Sequence, residues 1–60
     1  MPSPVRFSVV RKMLEDKGYQ LVKINGSHHK FAKPGCLPVV IPVHQNEVKY
    51  VYYKLASKAP

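Results

Sequence analysis

Acidic residues are scarce in this chain: three Asp and Glu stand against ten Lys and Arg in 60 residues, a formal net charge of +7. A small domain this basic repels itself unless an anion is near. The usual anions are nucleic acid, a membrane surface or an acidic protein. Cysteine is nearly absent as well. The single Cys36 excludes an internal disulfide and agrees with a reducing compartment. No apolar run approaches the ~20 residues that span a bilayer, since the longest, Leu37 to Val43, is interrupted by Pro38 and Pro42. Arg6 is not followed by the long apolar region of a signal peptide, so the cytoplasm is the expected location. Repeats, low-complexity tracts and linkers are missing too. Residues 1–60 therefore read as one domain with a small core. A membrane-surface helix puts apolar and basic residues on opposite faces. The C-terminal segment partly fits that pattern, but the rest of the chain reads as a folded domain. Charge and size together favour nucleic acid.

The elements follow from spacing. Met1 to Pro4 is a short proline-rich lead-in. Arg6 to Lys17 predicts a helix, because Phe7, Val10, Met13 and Leu14 recur at steps of three and four. Ser3 or Ser8 is the expected N-cap. Gly18 suits the left-handed position that ends a helix, and Lys17 suits its dipole. Tyr19 to Ile24 predicts a strand, Asn25-Gly26 a tight turn, and Ser27 to Lys33 the return strand. Pro34-Gly35 marks the next turn. A third strand is expected over Leu37 to Val43, with Pro38 and Pro42 at its ends or on an open edge. Asn46 is the expected N-cap of a last helix, with Val48, Val51, Tyr52 and Leu55 as its apolar stripe. The order is α-β-β-β-α. This is an α+β arrangement in which two helices cover one face of a three-stranded antiparallel sheet and the other face stays open.

Gly26-Ser27-His28-His29 is the segment with chemical potential. Side chains alternate across a strand. Phe31 is apolar and belongs to the core, so His29 shares its face. His28 then points to the open face with Lys30, and Lys23 lies across the hairpin. Histidine accepts and donates protons near neutral pH, and a lysine beside it holds a phosphate by charge. RNA suits so sparse a site, because its 2′-hydroxyl is an internal nucleophile beside the scissile phosphate. The protein needs only to remove a proton, orient the groups and stabilise charge.

Plainer readings stand beside these. A histidine on a surface strand is often only solvated. His29 reads as a half-buried residue bonded to backbone, and Ser27 as a turn residue, with no Ser/His/Asp arrangement in view. His44 either approaches the active face and contacts RNA or is a loop residue before the helix. Tyr50 and Tyr53 lie off the expected stripe, where they stack on bases, pack on a partner or widen the core. A zinc site from His28, His29, His44 and Cys36 is disfavoured. Neighbouring strand residues point to opposite faces, and no C-x-x-C pair exists. No metal and no cofactor is expected.

Met13-Leu14, Gly18-Tyr19, Gly26-Ser27-His28-His29-Lys30-Phe31 and Val40-Ile41-Pro42-Val43-His44, in this order and spacing, resemble the HicA family of ribonuclease toxins over roughly residues 8 to 45. The resemblance implies a double-stranded-RNA-binding-like fold and metal-independent cleavage of mRNA. It places the catalytic histidine in the Gly-Ser-His-His motif, which makes His28 and His29 both candidates. Strand alternation prefers His28. Gly26, Ser27, Lys23, Lys30 and His44 are then the RNA contacts. An acidic HicB-type antitoxin is the implied partner, covering the active face and blocking RNA. Residues 33–38 lack the family's usual His-Pro-Asp-Gly turn. The last helix lacks the family's Leu-Lys-x-Gly-Thr start. Two other classes remain: a non-catalytic RNA-binding module of the same fold, and a basic domain that docks an acidic protein.

Overall fold

The apolar spacing of the first helix dictates which of its sides is hidden. In the computed structural model, which describes residues 3–60, α1 spans Phe7–Asp16. It buries Val10 and Leu14 completely, with Phe7 and Met13 packed beside them. Met1 and Pro2 of the expected lead-in lie outside the described residues. The outer side of α1 carries exposed i,i+4 pairs, Arg11–Glu15 at 3.2 Å and Lys12–Asp16 at 3.7 Å. Pairs of this kind contribute little.

Neither Ser3 nor Ser8 caps α1. The N-cap is Arg6, in extended conformation, with no side-chain cap bond. Ser8 already lies inside the first turn, and Val5–Arg6 are held in a short strand, β1, upstream of it. The Phe7 N–H instead donates to the Asn46 carbonyl at 2.8 Å. The other end closes as a Schellman motif. Gly18, at φ 98°, donates its N–H to the Glu15 carbonyl at 2.9 Å, and Tyr19 donates to Leu14 at 3.0 Å. Tyr19 and Leu14 are both buried, completing the apolar contact that accompanies this motif.

The sheet is antiparallel, with β2 (Gln20–Asn25), β3 (His28–Ala32) and β4 (Val39–Pro42) in that spatial order. The two helices cover the face bearing Phe31 and Ile41, which makes the fold α+β as expected. The hairpin turn is one residue later than Asn25-Gly26 predicts. Asn25 pairs with His28, and Gly26, at φ 60°, leads the two-residue loop Gly26-Ser27. Glycine at the first loop position is the type II′ requirement. Pro42 ends β4 on the sheet edge, where its missing N–H does no harm.

A second, two-stranded sheet was not legible from spacing. β1 (Val5–Arg6) pairs with β5 (Glu47–Val48), placing Val5 opposite Val48. Asn46 therefore does not cap the last helix. Gln45 and Asn46 adopt φ 52° and 64° in a tight turn between His44 and Glu47, which exchange backbone hydrogen bonds at 3.0 and 2.9 Å. Two consecutive positive φ values are the type I′ signature. α2 begins after Lys49 and spans Tyr50–Lys58. Its inward side carries Ala56, Tyr52 and Tyr53, whereas Val51 is 63% and Leu55 50% exposed. The expected stripe was phased from Val48, which is buried but belongs to β5. With Lys49 in place of Asn46 as N-cap the helix starts three residues later, so Val48 does not set which of its sides faces the core.

Lys17 does not serve the dipole of its own helix. Its ammonium donates to the carbonyls of Ala56, Ser57 and Ala59 at 3.0, 2.7 and 2.7 Å. Its three donors meet three carbonyls at the end of α2, one of which, that of Ala56, also accepts the Ala59 N–H at 3.2 Å. This ties the C-terminal ends of α1 and α2 together. The core between helices and sheets is Val10, Leu14, Tyr19, Phe31, Val39, Ile41, Val48 and Ala56, all buried.

Candidate nucleic-acid site

The open face of the sheet is set by register. His28 lies opposite Asn25 on β2 and Pro42 on β4, and Lys30 lies opposite Lys23 and Val40. All four polar members, Lys23, Asn25, His28 and Lys30, are exposed. The sequence placed His28 and Lys30 together correctly. Lys23 joins them only because of a β-bulge between Leu21 and Lys23. In a regular strand Leu21 and Lys23 share a face. The extra residue, Val22, keeps Leu21 opposite Phe31 on the core side and turns Lys23 outward.

Lys23 and Lys30 are like charges directly across a strand pair, an arrangement that is destabilising. Among the described residues the two ion pairs both lie on α1, so no carboxylate offsets this repulsion. An anion laid across the hairpin does.

His29 faces the other way, in the row Ile24–His29–Ile41 formed by the three strands. It is half-buried. Its ring lies against Phe7, with centroids 4.8 Å apart and planes tilted by 59°. Its Nδ1 lies 2.9 Å from the Ser27 carbonyl oxygen. A carbonyl only accepts, so Nδ1 carries the proton. In the neutral ring Nε2 then keeps its lone pair. The same carbonyl accepts the Val43 N–H at 2.8 Å, which fixes the hairpin tip to the end of β4. The plain expectation for His29, half-buried and bonded to backbone, thus holds. Its consequence is a ring locked in one orientation and one tautomer.

Gly26 and Ser27 form the hairpin tip between the two histidines' faces. The role of Ser27 is carried by its carbonyl. His44 is exposed and opens the Gln45-Asn46 turn, bridged to Glu47. It stands one residue beyond Val43. Tyr50 and Tyr53 lie on α2 with ring centroids 5.7 Å apart. Tyr53 packs on the core, which favours the reading that it widens the core. Groups of three or more His, Cys, Asp or Glu able to hold a metal do not occur among the described residues. Phe7 was legible only as a core residue. Its contact with His29 depends on how α1 meets the sheet, and no local signal encodes that. No helix among the described residues is long and apolar enough to cross a membrane.

The family model described as HicA toxin of bacterial toxin-antitoxin matches residues 7–54. That range runs past the motifs ending at His44 and takes in half of α2. No curated protein and no solved structure gives a match.

Proposed function

The chain belongs to the HicA family of toxins of bacterial toxin–antitoxin systems, and from that premise we propose that it is an endoribonuclease cleaving mRNA with a histidine of the 28–29 pair. The observation that carries the reading is the His29 ring. Nδ1–H is committed to the Ser27 carbonyl at 2.9 Å, so Nε2 is held ready to take a proton. A general base works when it is both in the right protonation state and in place. His29 meets the second condition through Phe7 and Ser27. Among the described residues His28 makes no side-chain hydrogen bond, and it shares its face with Lys23 and Lys30, where it serves phosphate binding best. The preference from strand alternation for His28 as the base therefore passes to His29.

RNA lying over the hairpin tip meets both faces at their common end. Nε2 of His29 removes the 2′-hydroxyl proton. The 2′-oxygen attacks the adjacent phosphorus, and the bond to the 5′-oxygen breaks. The 5′-oxygen leaves with a proton from solvent, and the other product ends in a 2′,3′-cyclic phosphate. Lys23, Lys30 and His28, on the opposite face, hold neighbouring phosphates of the strand by charge. No metal takes part in these steps. HicB-type antitoxin is the proposed partner that keeps this surface from RNA.

The test is incubation of the pure protein with a long RNA in EDTA, followed by analysis of the product ends. Fragments ending in cyclic phosphate are expected. Intact RNA with well-folded protein would turn the assignment to a non-catalytic binding module, and cleavage only on addition of a divalent metal would remove His29 as the sole base.

A further inference from the structure

The outward side of α2 is apolar where a solvated helix is ordinarily polar. Val51 is 63% exposed and Leu55 50%, and Leu37, on the neighbouring loop, is 86% exposed. Leu55 and Lys58 line two adjoining depressions. One continues over Leu37 and Pro38, the other over Val51 and Lys54. A contiguous apolar patch on a small domain marks an interaction site. α2 contains no acidic residue, and neither Lys54 nor Lys58 takes part in an ion pair among the described residues. The patch is therefore apolar and bounded by uncompensated positive charge.

That chemistry selects the occupant. A second copy of a chain carrying +7 brings two lysine-rimmed faces together and is repelled. Nucleic acid matches the lysines but leaves Val51, Leu55 and Leu37 unmatched. An acidic polypeptide segment with apolar side chains satisfies both. We propose that this side of α2, with Leu37 and Pro38, anchors an acidic segment of the antitoxin. The proposal rests on membership of a toxin–antitoxin family and on the nuclease reading above. The Leu55–Lys58 end of the patch is far from the histidines, whereas Val51 lies toward the start of α2, which follows the β5 strand paired with Val5. Phe7, beside His29, opens α1. Lys17, which holds the end of α2, follows the other end. The ten-residue helix between them is about 15 Å long. The antitoxin thus grips the toxin on a surface that the cleavage chemistry does not use, and a toxin altered there stays active but escapes neutralisation.

The test is the affinity of purified cognate antitoxin for the parent, for the double variant Val51→Glu with Leu55→Glu, and for Lys54→Glu with Lys58→Glu. All substituted positions are exposed, so folding is expected to be retained, and circular dichroism checks it. The first double variant is expected to bind roughly 30-fold more weakly or worse. The second is expected to bind more weakly with a shallower salt dependence. Free-enzyme RNA cleavage should be unchanged in both. Antitoxin affinity within about threefold of the parent in the folded apolar variant overturns the proposal. So does a dimer of the free parent that the same variant dissociates, because the patch then belongs to a second copy. Failure of the nuclease reading shows separately, as a parent protein that binds antitoxin at this patch yet cuts no RNA.

Discussion

The His29 ring rests on the Phe7 ring, with centroids 4.8 Å apart, so the first residue of α1 helps hold the proposed base at the start of β3. Phe7 also lies 6.2 Å from Phe31, centroid to centroid. The same aromatic group thus joins the core to the site.

Replacing Phe7 with leucine keeps apolar volume but removes the flat support for the imidazole. Cleavage at saturating RNA is expected to fall about tenfold while RNA affinity stays close to the parent's, because only the orientation of the base is lost. Single-turnover kinetics separates the two. A loss confined to affinity would contradict the role given to Phe7.

Lys23→Ala removes one of two like charges that face each other across the hairpin. Stability is expected to rise by roughly 0.2 to 1 kcal/mol. RNA binding weakens, and the slope of log affinity against log salt becomes shallower by about one phosphate contact. Thermal melts and salt-titrated binding on the same preparation check both signs. A variant that is less stable, with an unchanged salt slope, would mean that the lysine pair holds no phosphate.

How much of this was legible in the sequence depends on the range of the interaction. α1 was readable because its apolar spacing and its glycine stop lie within a few residues of one another. The opposed faces of His28 and His29 followed from alternation alone. The outward turn of Lys23 did not, because it depends on a bulge in β2 and the local pattern Leu21-Val22-Lys23 reads equally well as regular strand. Val48 looked helical because it lies at helical spacing from Val51 and Tyr52. Its pairing with Val5, 43 positions away in the chain, decides otherwise. Lys17 looked like a dipole partner of α1, and only the packing of α2 shows which carbonyls it meets.

Lys17→Met retains most of the aliphatic stem and deletes the ammonium that meets three carbonyls. Charge-assisted bonds contribute more than neutral ones, but this group is only partly buried, so a loss of about 2 kcal/mol is expected. In a domain of this size that lowers Tm by roughly 8 to 16 °C. A shift under about 2 °C would show that water replaces the clamp without loss.

Tyr19 is buried, and its hydroxyl has no hydrogen-bond partner among the described residues beyond the weak neighbouring Cys36 thiol. Burial pushes its phenol above the ordinary value of 10.0, and the Cys36 thiol adds to the shift. The unfolded chain ionises first, so the stability held by the neutral phenol is complete below about pH 10 and is lost as pH rises through and beyond it. Tyr19→Phe is expected to flatten that alkaline loss, and at neutral pH to be neutral or stabilising, since it removes an unsatisfied buried hydroxyl. A clearly destabilised Tyr19→Phe would reveal a partner for the hydroxyl.

The most direct test of the account is single-turnover cleavage of one RNA by His29→Ala and His28→Ala, with RNA affinity measured beside it and folding checked by circular dichroism. His29→Ala is expected to bind RNA nearly as well as the parent and to cut it at least about 100-fold more slowly, while His28→Ala binds more weakly and still cuts. Full activity in a folded His29→Ala protein would contradict it.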